Sequence, residues 1–218
     1  MDIQIKEIDF KTAKKWCFNY HYSKTLPSSS KYKLLFIVDG VELGVITFGK
    51  GACPYVAKNY GVNWNEIYEL TRIALKEHNG IFTTMLISQA IKYIKQKEPQ
   101  LKLLFSFADS GENHKGMIYR ASGWYFERIS ERKGCYYKDI RTNLKIHPKT
   151  FAGWIKASGM NEKQFMEVNK DKYARIPTSK KYCYLYFLDN KYKKDYCRKH
   201  NLNWKTLFNQ KQEIKEII

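Results

Sequence analysis

The most constraining feature of this chain is a strand, a helix and a second strand that follow one another through its centre. The run IYELTRIAL is typical of a strand, and LKLLFSFAD is a short apolar run that suits a buried strand. Between them, FTTMLISQAIKYIKQ places Met85, Leu86, Ala90, Ile91 and Ile94 on one broad helical face. Elements in this order favour an α/β fold with some parallel pairing.

The segments on either side extend the pattern. IQIKEI predicts a first strand. Asp9 predicts the N-cap of a helix over FKTAKKWCFNYHY, and Asp39-Gly40 predicts the turn of a hairpin. GACPYVAKNYGVNW reads as irregular. After the central strands, NHKGMIYRAS predicts a short helix capped by Asn113 and ended by Gly123, and WYFERIS predicts the next strand. The predicted order is therefore β-α-β-β-β-α-β-α-β.

The C-terminal third predicts two short helices, a strand over YCYLYFL and a basic, aromatic segment after it. No stretch is long and polar enough to be a linker. We therefore expect a single domain over residues 1–218, with a core of about residues 1–140 and a C-terminal strand and basic extension over residues 141–218.

The chain is strongly basic, with 39 Lys and Arg against 21 Asp and Glu and a net charge of +18. Such a balance favours a polyanionic partner, and DNA or RNA is the default candidate, although a general preference for lysine is the alternative. We take double-stranded DNA as the expected partner. Alternation places Tyr182, Tyr184 and Tyr186 on one face of their strand, which we interpret mainly as core. The lysines predicted to face nucleic acid are Lys180, Lys181, Lys191, Lys193 and Lys194.

Cysteine usage and hydropathy indicate the compartment. The five cysteines form no CxxC pair, and an odd count predicts free thiols in a reducing cytoplasm. No apolar run approaches the roughly 18 residues that a membrane span needs. We expect a soluble, cytoplasmic protein without a membrane partner.

A motif after the central strands carries the first resemblance. Asn113, Tyr119, Gly123 and Trp124 form N-x5-Y-x3-G-aromatic, which resembles the second half of the GNAT acyltransferase fold. The resemblance implies a mixed, mostly antiparallel sheet flanked by helices. It also implies Tyr119 as a general acid toward a departing thiolate, whereas the alternative is a tyrosine that only packs its helix.

The loop that would cradle a donor phosphate departs from the GNAT pattern. KEHNGIFTTM contains one glycine, Gly80, where the family has a glycine-rich turn. Thr83 and Thr84 still stand at a helix N-terminus that can bind an anion, so we list them with Asn113 as candidate cofactor-binding residues. An acyl-CoA-type donor therefore stays an open question. An acyl-CoA N-acyltransferase acting on a small molecule or protein is one alternative function, and a non-catalytic, basic DNA-binding protein is another.

Several blocks taken together resemble the Mom family of phage DNA-modification proteins. They are HYSKTLPS, GVITFGKGA, ELTRIAL, FADSGENHKGMIYRASGW and YCYLYFLDNKYKK, spread over roughly residues 15 to 195. The resemblance implies an enzyme that places a small group, carbamoylmethyl, on adenine N6 in DNA. It also implies that the modification protects phage DNA from restriction within a bacterial host cell.

The same resemblance implies functional residues. His21, Asp109 and Tyr119 match the family's proposed site, for which iron has been suggested, and we add Ser23 to the catalytic candidates. Imidazole, carboxylate and phenolate are acceptable iron ligands, but their spacing has none of the regularity of a zinc motif. Asp109 can instead form an Asx turn, and His21 can serve the end of its helix.

Tyr22 and Arg72 are candidates for contacts with nucleic acid. Tyr22 can hold an adenine that has left the base stack, and Arg72 can bind a phosphate or pair internally. In a regular strand, Glu69 and Arg72 lie on opposite faces, so we do not expect both in one cleft.

Overall fold

The computed structural model describes residues 1–51, 54–77, 81–130 and 134–200. The strands are β1 (Ile3–Glu7), β2 (Ser30–Val38), β3 (Val41–Gly49), β4 (Ile67–Leu75), β5 (Leu103–Asp109), β6 (Tyr125–Ser130), β7 (Cys135–Asp139), β8 (Lys145–Ile146), β9 (Tyr173–Pro177) and β10 (Lys181–Phe187). The helices are α1 (Phe10–Tyr20), α2 (Tyr55–Tyr60), α3 (Ile81–Lys97), α4 (Met117–Ala121), α5 (Pro148–Ser158), α6 (Glu162–Val168) and α7 (Asn190–Lys199).

Seven strands form the main sheet in the order β1-β2-β3-β4-β5-β10-β6. Only β4 and β5 pair in parallel, and the other neighbours are antiparallel. Residues of α3 and α4 share the largest apolar core with the sheet, whereas α1 packs in one separate cluster and α2 and α7 in another. The predicted fold class, a mixed and mostly antiparallel sheet flanked by helices, is confirmed.

Local signals account for much of this architecture. Asp9 caps α1, since its carboxylate accepts a hydrogen bond from the Thr12 N–H at 2.9 Å. Asp39 and Gly40 both have positive φ, 48° and 81°, as a tight hairpin turn requires. Gly123, with φ 80°, follows the last turn of α4 as predicted.

Two local predictions were wrong. Asn113 does not cap α4; it ends a 3-10 turn over residues 110–112 in the left-handed region, and α4 begins four residues later, after Gly116. Tyr119 is consequently the third residue of its helix. The segment interpreted as irregular contains α2, a helix of one and a half turns that Gly61 ends at φ 65°. Its shortness left too little periodicity to detect.

The C-terminal strand lies inside the main sheet. β10 pairs with β5 on one side and with β6 on the other, and Tyr184 at its centre is fully buried. Tyr182 and Tyr186 pack against the same core, which confirms the interpretation of these three tyrosines. The core of the sheet is therefore incomplete without residues far beyond position 140.

Residues 134–177 form a compact element that we call the inserted unit, because the chain makes it between β6 and β10. It contains a three-stranded sheet in the order β8-β7-β9 together with α5 and α6. Its centre is aromatic: Tyr137 stacks on Phe151 at 3.6 Å, and Phe165 and Tyr173 meet Phe151 edge-on. The grouping of the whole chain as one domain stays a prediction.

The structure bears on the predictions made from the cysteines and from hydropathy. Cys17, Cys135, Cys183 and Cys197 are free thiols, as predicted, while Cys53 lies outside the described residues. Within the described ranges, the helices are too short or too polar to cross a bilayer.

Candidate active site

The parallel strands β4 and β5 diverge, and this opening organises the site. They pair only from Ile67 with Leu103 to Glu69 with Phe105, although both strands continue for several residues. Where they part, Ser106 Oγ lies 2.9 Å from the Leu70 carbonyl oxygen. Beyond Glu69 and Phe105, the two strands make no ladder pairs in the part of the chain that the structure describes.

Tyr119 stands at this opening. Its hydroxyl lies 2.8 Å from Ser106 Oγ, and its ring stacks on Tyr184 and meets the edge of Trp124. Burial raises the pKa of Tyr119 to about 12, so the phenol is protonated at neutral pH. The packing interpretation of Tyr119 is therefore confirmed, whereas its role as a proton donor stays a prediction.

Asp109 ends β5 and is held from three directions. Its carboxylate accepts hydrogen bonds from Ser179 Oγ and from the Gly111 N–H, the latter at 3.0 Å, and it pairs with the Lys181 ammonium group. The Asx turn that the sequence allowed is thus present. Burial raises the pKa of the carboxyl, but the hydrogen bonds from Lys181 and Ser179 outweigh it, and the pKa lies below its ordinary value.

His21 is the C-cap residue of α1 and lies in the same neighbourhood. Its Nδ1 accepts a hydrogen bond from the Ser23 N–H at 3.1 Å, and Ser23 Oγ is 2.8 Å away. Since a backbone N–H can only donate, Nδ1 carries the lone pair and Nε2 the proton. Burial, and then the charges of Arg72 and His114, lower the pKa of His21 to about 3.

Tyr22 contacts both His21 and His114. Its ring stacks on His21 at 4.3 Å and makes a T-shaped contact with His114 at 5.2 Å. Burial raises the pKa of Tyr22, and the Asp109 carboxylate raises it further, which places the phenol within the electrostatic reach of that carboxylate. His114 was not among the predicted site residues, although it lies in the FADSGENH block only five residues after Asp109.

Arg72 fastens the loop after α1 to β4. Its Nε donates to the Thr25 carbonyl oxygen at 2.8 Å and its other nitrogens contact Thr71 O and Thr25 Oγ1. This is the internal pairing that the sequence left open. A bulge explains the position: Thr47 pairs with Arg72 and Phe48 with Leu70, so Thr71 is an extra residue.

That bulge overturns the expectation for Glu69. Leu70 and Ile73 are three apart, yet both pack in the core shared with α3. Their neighbours Glu69 and Arg72 therefore share the opposite face of β4, contrary to the prediction from strict alternation. The prediction assumed strict alternation along β4, and strict alternation does not account for the extra residue of a bulge.

The three suggested iron ligands do not form a fitting set in this arrangement. Both oxygens of Asp109 are used by protein donors, one of them a cation, and Nδ1 of His21 is used by Ser23. Tyr119 is protonated and bonded to Ser106. Among the described residues, no group of three His, Cys, Asp or Glu side chains has the geometry to hold a metal ion.

The remaining candidates are dispersed. Thr83 is buried in the first turn of α3 and Thr84 follows it, while Gly80 lies outside the described residues. Lys193 donates to Tyr125 Oη at 2.6 Å on the far end of β6, and Lys191 and Lys194 lie with it on α7. Lys180 and Lys181 precede and begin β10, and Lys181 faces Asp109. Nucleic-acid contact by these lysines stays a prediction.

The fold and the cluster at the strand ends define an α/β protein with a mixed, mostly antiparallel sheet. The sequence matches the Mom protein family over residues 2–205. The chain belongs to the Mom family. No curated protein matches it significantly.

Several solved acetyltransferases are similar to the chain. One from Bacillus subtilis, in complex with CoA, has 13% identity over 86% of this chain and 98% of its own, with a TM-score of 0.48. A probable acetyltransferase from Staphylococcus epidermidis has 10% identity, covers 86% of this chain and 100% of its own, and has a TM-score of 0.48. A GNAT acetyltransferase from Streptococcus pneumoniae has 13% identity, the same two coverages and a TM-score of 0.47.

Proposed function

We propose that this protein is a DNA-modifying transferase that adds a small group, carbamoylmethyl, to N6 of adenine and thereby protects phage DNA from restriction. Membership of the Mom family and the net charge of +18 support this assignment. The observation that carries it is the convergence of Asp109, Tyr119, His21 and Tyr22 around the opening between β4 and β5.

Each side chain has a role that its environment supports. The transfer forms a bond from N6 to a carbon of the donor, breaks the bond from that carbon to its leaving group and releases an N6 proton to solvent, from which Tyr119 regains the proton that it gives to the leaving group. Tyr119, protonated beside Ser106, gives a proton to the leaving group. Asp109 is held as a carboxylate by Lys181 and Ser179. Gly111 and Ser179 both donate to Oδ1, so the lone pair that remains on Oδ2, beside Lys181, accepts a hydrogen bond from the N6 amino group and orients it.

The adenine itself must leave the base stack to reach such a site. Tyr22 is 43% exposed while its ring rests on His21 and contacts His114, so part of the ring is available to a base. Neutral His21 and the fixed loop beneath it give this platform a rigid support. Stacking on an aromatic ring contributes about 1–3 kcal/mol per base.

Mass spectrometry of nucleosides tests the proposal. Plasmid DNA is isolated from bacteria that express the intact protein, Asp109→Asn, Tyr119→Phe or, as a control, Asp2→Asn, which changes an exposed carboxylate before β1. We expect a heavier adenosine with the intact protein and the control, at the mass of a carbamoylmethyl group, and much less with the two site variants. An unmodified adenine pool with well-folded protein would contradict the proposal.

One observation favours a second function, an acyl-CoA-dependent N-acyltransferase. Among the described residues, β4 and β5 stop pairing after Glu69 and Phe105, and an extended ligand that entered there would meet backbone groups of both strands, as a peptide does at a strand edge. A pantetheine arm has amide groups of the right kind. Calorimetry with acetyl-CoA decides: tight binding together with an unmodified adenine pool would favour this alternative.

A further inference from the structure

The inserted unit stands at the same end of the main sheet as the candidate site. Lys181, the first residue of β10, pairs with Ser130 at the end of β6 and with Asp109 at the end of β5. The chain therefore leaves for the inserted unit and returns from it beside Asp109. Gly134 and Thr178 close its base, since the Thr178 N–H donates to the Gly134 carbonyl oxygen at 3.1 Å.

An ion pair ties the unit to the site loop. Lys145 of β8 pairs with Glu112, which follows Asp109 by three residues and precedes His114 by two. The Glu112 charge also reaches Tyr22, whose pKa it helps to raise after burial and after the charge of Asp109. The unit is thus connected to the loop that carries His114.

The unit carries an excess of positive charge. Residues 134–177 contain nine Lys and Arg against four Asp and Glu. Its acidic groups are largely neutralised within it, because Asp139 pairs with Arg141, Glu162 with Arg175 and Glu167 with Lys170. Four exposed lysines have no carboxylate partner among the residues that the structure describes: Lys149, Lys156, Lys163 and Lys172.

We propose that the inserted unit binds the phosphates of duplex DNA beside the target adenine and so positions the duplex over the site. This inference rests on the proposed function, since DNA is the substrate there. Charge complementarity selects the partner: unpaired lysines next to a base-modifying site match a polyanion. The half-exposed Trp154, on the same helix as Lys149 and Lys156, adds an apolar contact.

Salt-dependent DNA binding tests the inference on the full chain. A fluorescein-labelled duplex oligonucleotide is titrated with the intact protein, with a variant in which Lys149, Lys156, Lys163 and Lys172 are glutamine, and with a control variant. The control replaces Lys6, Lys11, Lys92 and Lys95, which are four exposed lysines on β1, α1 and α3. Both variants lose the same charge, so only position distinguishes them.

We expect the magnitude of the slope of log K against log salt to fall by about 3.6 for the inserted-unit variant, because each of the four phosphate contacts contributes about 0.9. The control should lose 1 or less. All three proteins should unfold at the same temperature, since the substituted lysines are exposed. Equal slopes and affinities for the two variants, or no duplex binding by the intact protein, would overturn the inference.

Nucleoside analysis of the same variants separates this inference from the proposed function. If the intact protein modifies adenine and the inserted-unit variant does so equally well at physiological salt with unchanged affinity, the inference fails and the function stands. If the intact protein binds the duplex through the unit but no adenine is modified, the function fails and the inference stands.

Discussion

Lys181 faces Asp109 directly across the pairing of β10 with β5, and its ammonium group pairs with the Asp109 carboxylate. The two side chains are 24% and 8% exposed. Lys181, which was predicted to bind DNA, thus keeps Asp109, which was predicted to be catalytic, in its charged form. This relationship connects the C-terminal strand to the chemistry of the site.

Replacing Lys181 by glutamine should destabilise the protein by about 3 kcal/mol, because it leaves a buried carboxylate without its cation. Asp109→Asn combined with Lys181→Gln should cost less than Lys181→Gln alone. Urea unfolding at pH 7 measures both. Unchanged stability of the single variant would show that the pair is not formed.

The same pair makes stability depend on pH in one direction. The pKa of Asp109 is below its ordinary value, so the carboxylate stabilises the fold above that ordinary value, near 3.9, and the contribution is lost as pH falls below it. Urea unfolding from pH 5 to pH 2.5 should show a weaker decline for Asp109→Asn than for the intact protein. Asp171→Asn serves as the control and should decline as the intact protein does.

His21 should make the fold sensitive to milder acid. Its pKa of about 3 lies below the value near 6.5 of the unfolded chain, so the stabilisation is complete above pH 6.5 and is lost as pH falls toward 3. The expected slope approaches 1.4 kcal/mol per pH unit between these values. His21→Gln should remove this slope, whereas His200→Gln, at the exposed end of α7, should keep it.

Tyr119→Phe separates packing from proton donation. The ring contacts with Tyr184 and Trp124 remain, so loss of the hydroxyl should cost about 1 kcal/mol of stability. Loss of a general acid should lower the rate of transfer by about 10²–10⁴-fold. Because the pKa of Tyr119 is about 12, its titration should produce no fall in the rate of the intact protein below pH 9. A phenylalanine variant with full activity would restrict Tyr119 to packing.

Two glycines provide a matched test of the fold. Gly116 has φ 73°, and a Cβ there would lie 2.2 Å from the Tyr184 ring, so Gly116→Ala should cost about 2–5 kcal/mol through strain and overpacking. Gly153, inside α5, has open space around it, and Gly153→Ala should stabilise by up to about 1 kcal/mol. Thermal unfolding of both variants should shift in opposite directions.

Sequence reasoning was most successful where the signal is local. The bounds of β4 coincide with IYELTRIAL, and Asp9, Asp39 and Gly123 behave as their residue types predict. Hydrophobic periodicity and turn chemistry act over a few residues, so they can be recognised without the partner. The prediction for Asn113 was wrong because asparagine is favoured both at helix N-caps and in turns. In the structure, it ends the 3-10 turn over residues 110–112.

For the candidate site too, local features were predictable from the sequence and long-range contacts were not. The types and order of His21, Asp109 and Tyr119 along the chain are properties of the sequence, and so is the resemblance that selects them. Their surroundings are not: the Thr71 bulge, the partnership of Lys181 with Asp109 and the approach of His114 to Tyr22 arise from strand pairing and loop packing. None of these has a short-range signature.

By itself, the sequence determined the α/β class, most of the helices and strands, the basic character and the family of this protein. Only the tertiary structure decided that β10 enters the sheet between β5 and β6, that β4 and β5 part beyond Glu69, and that the basic inserted unit stands beside Asp109. The physical reason is that propensity and periodicity are set by neighbours along the chain. Strand order, register and ion pairing depend on residues that are distant in sequence and meet only in the folded protein.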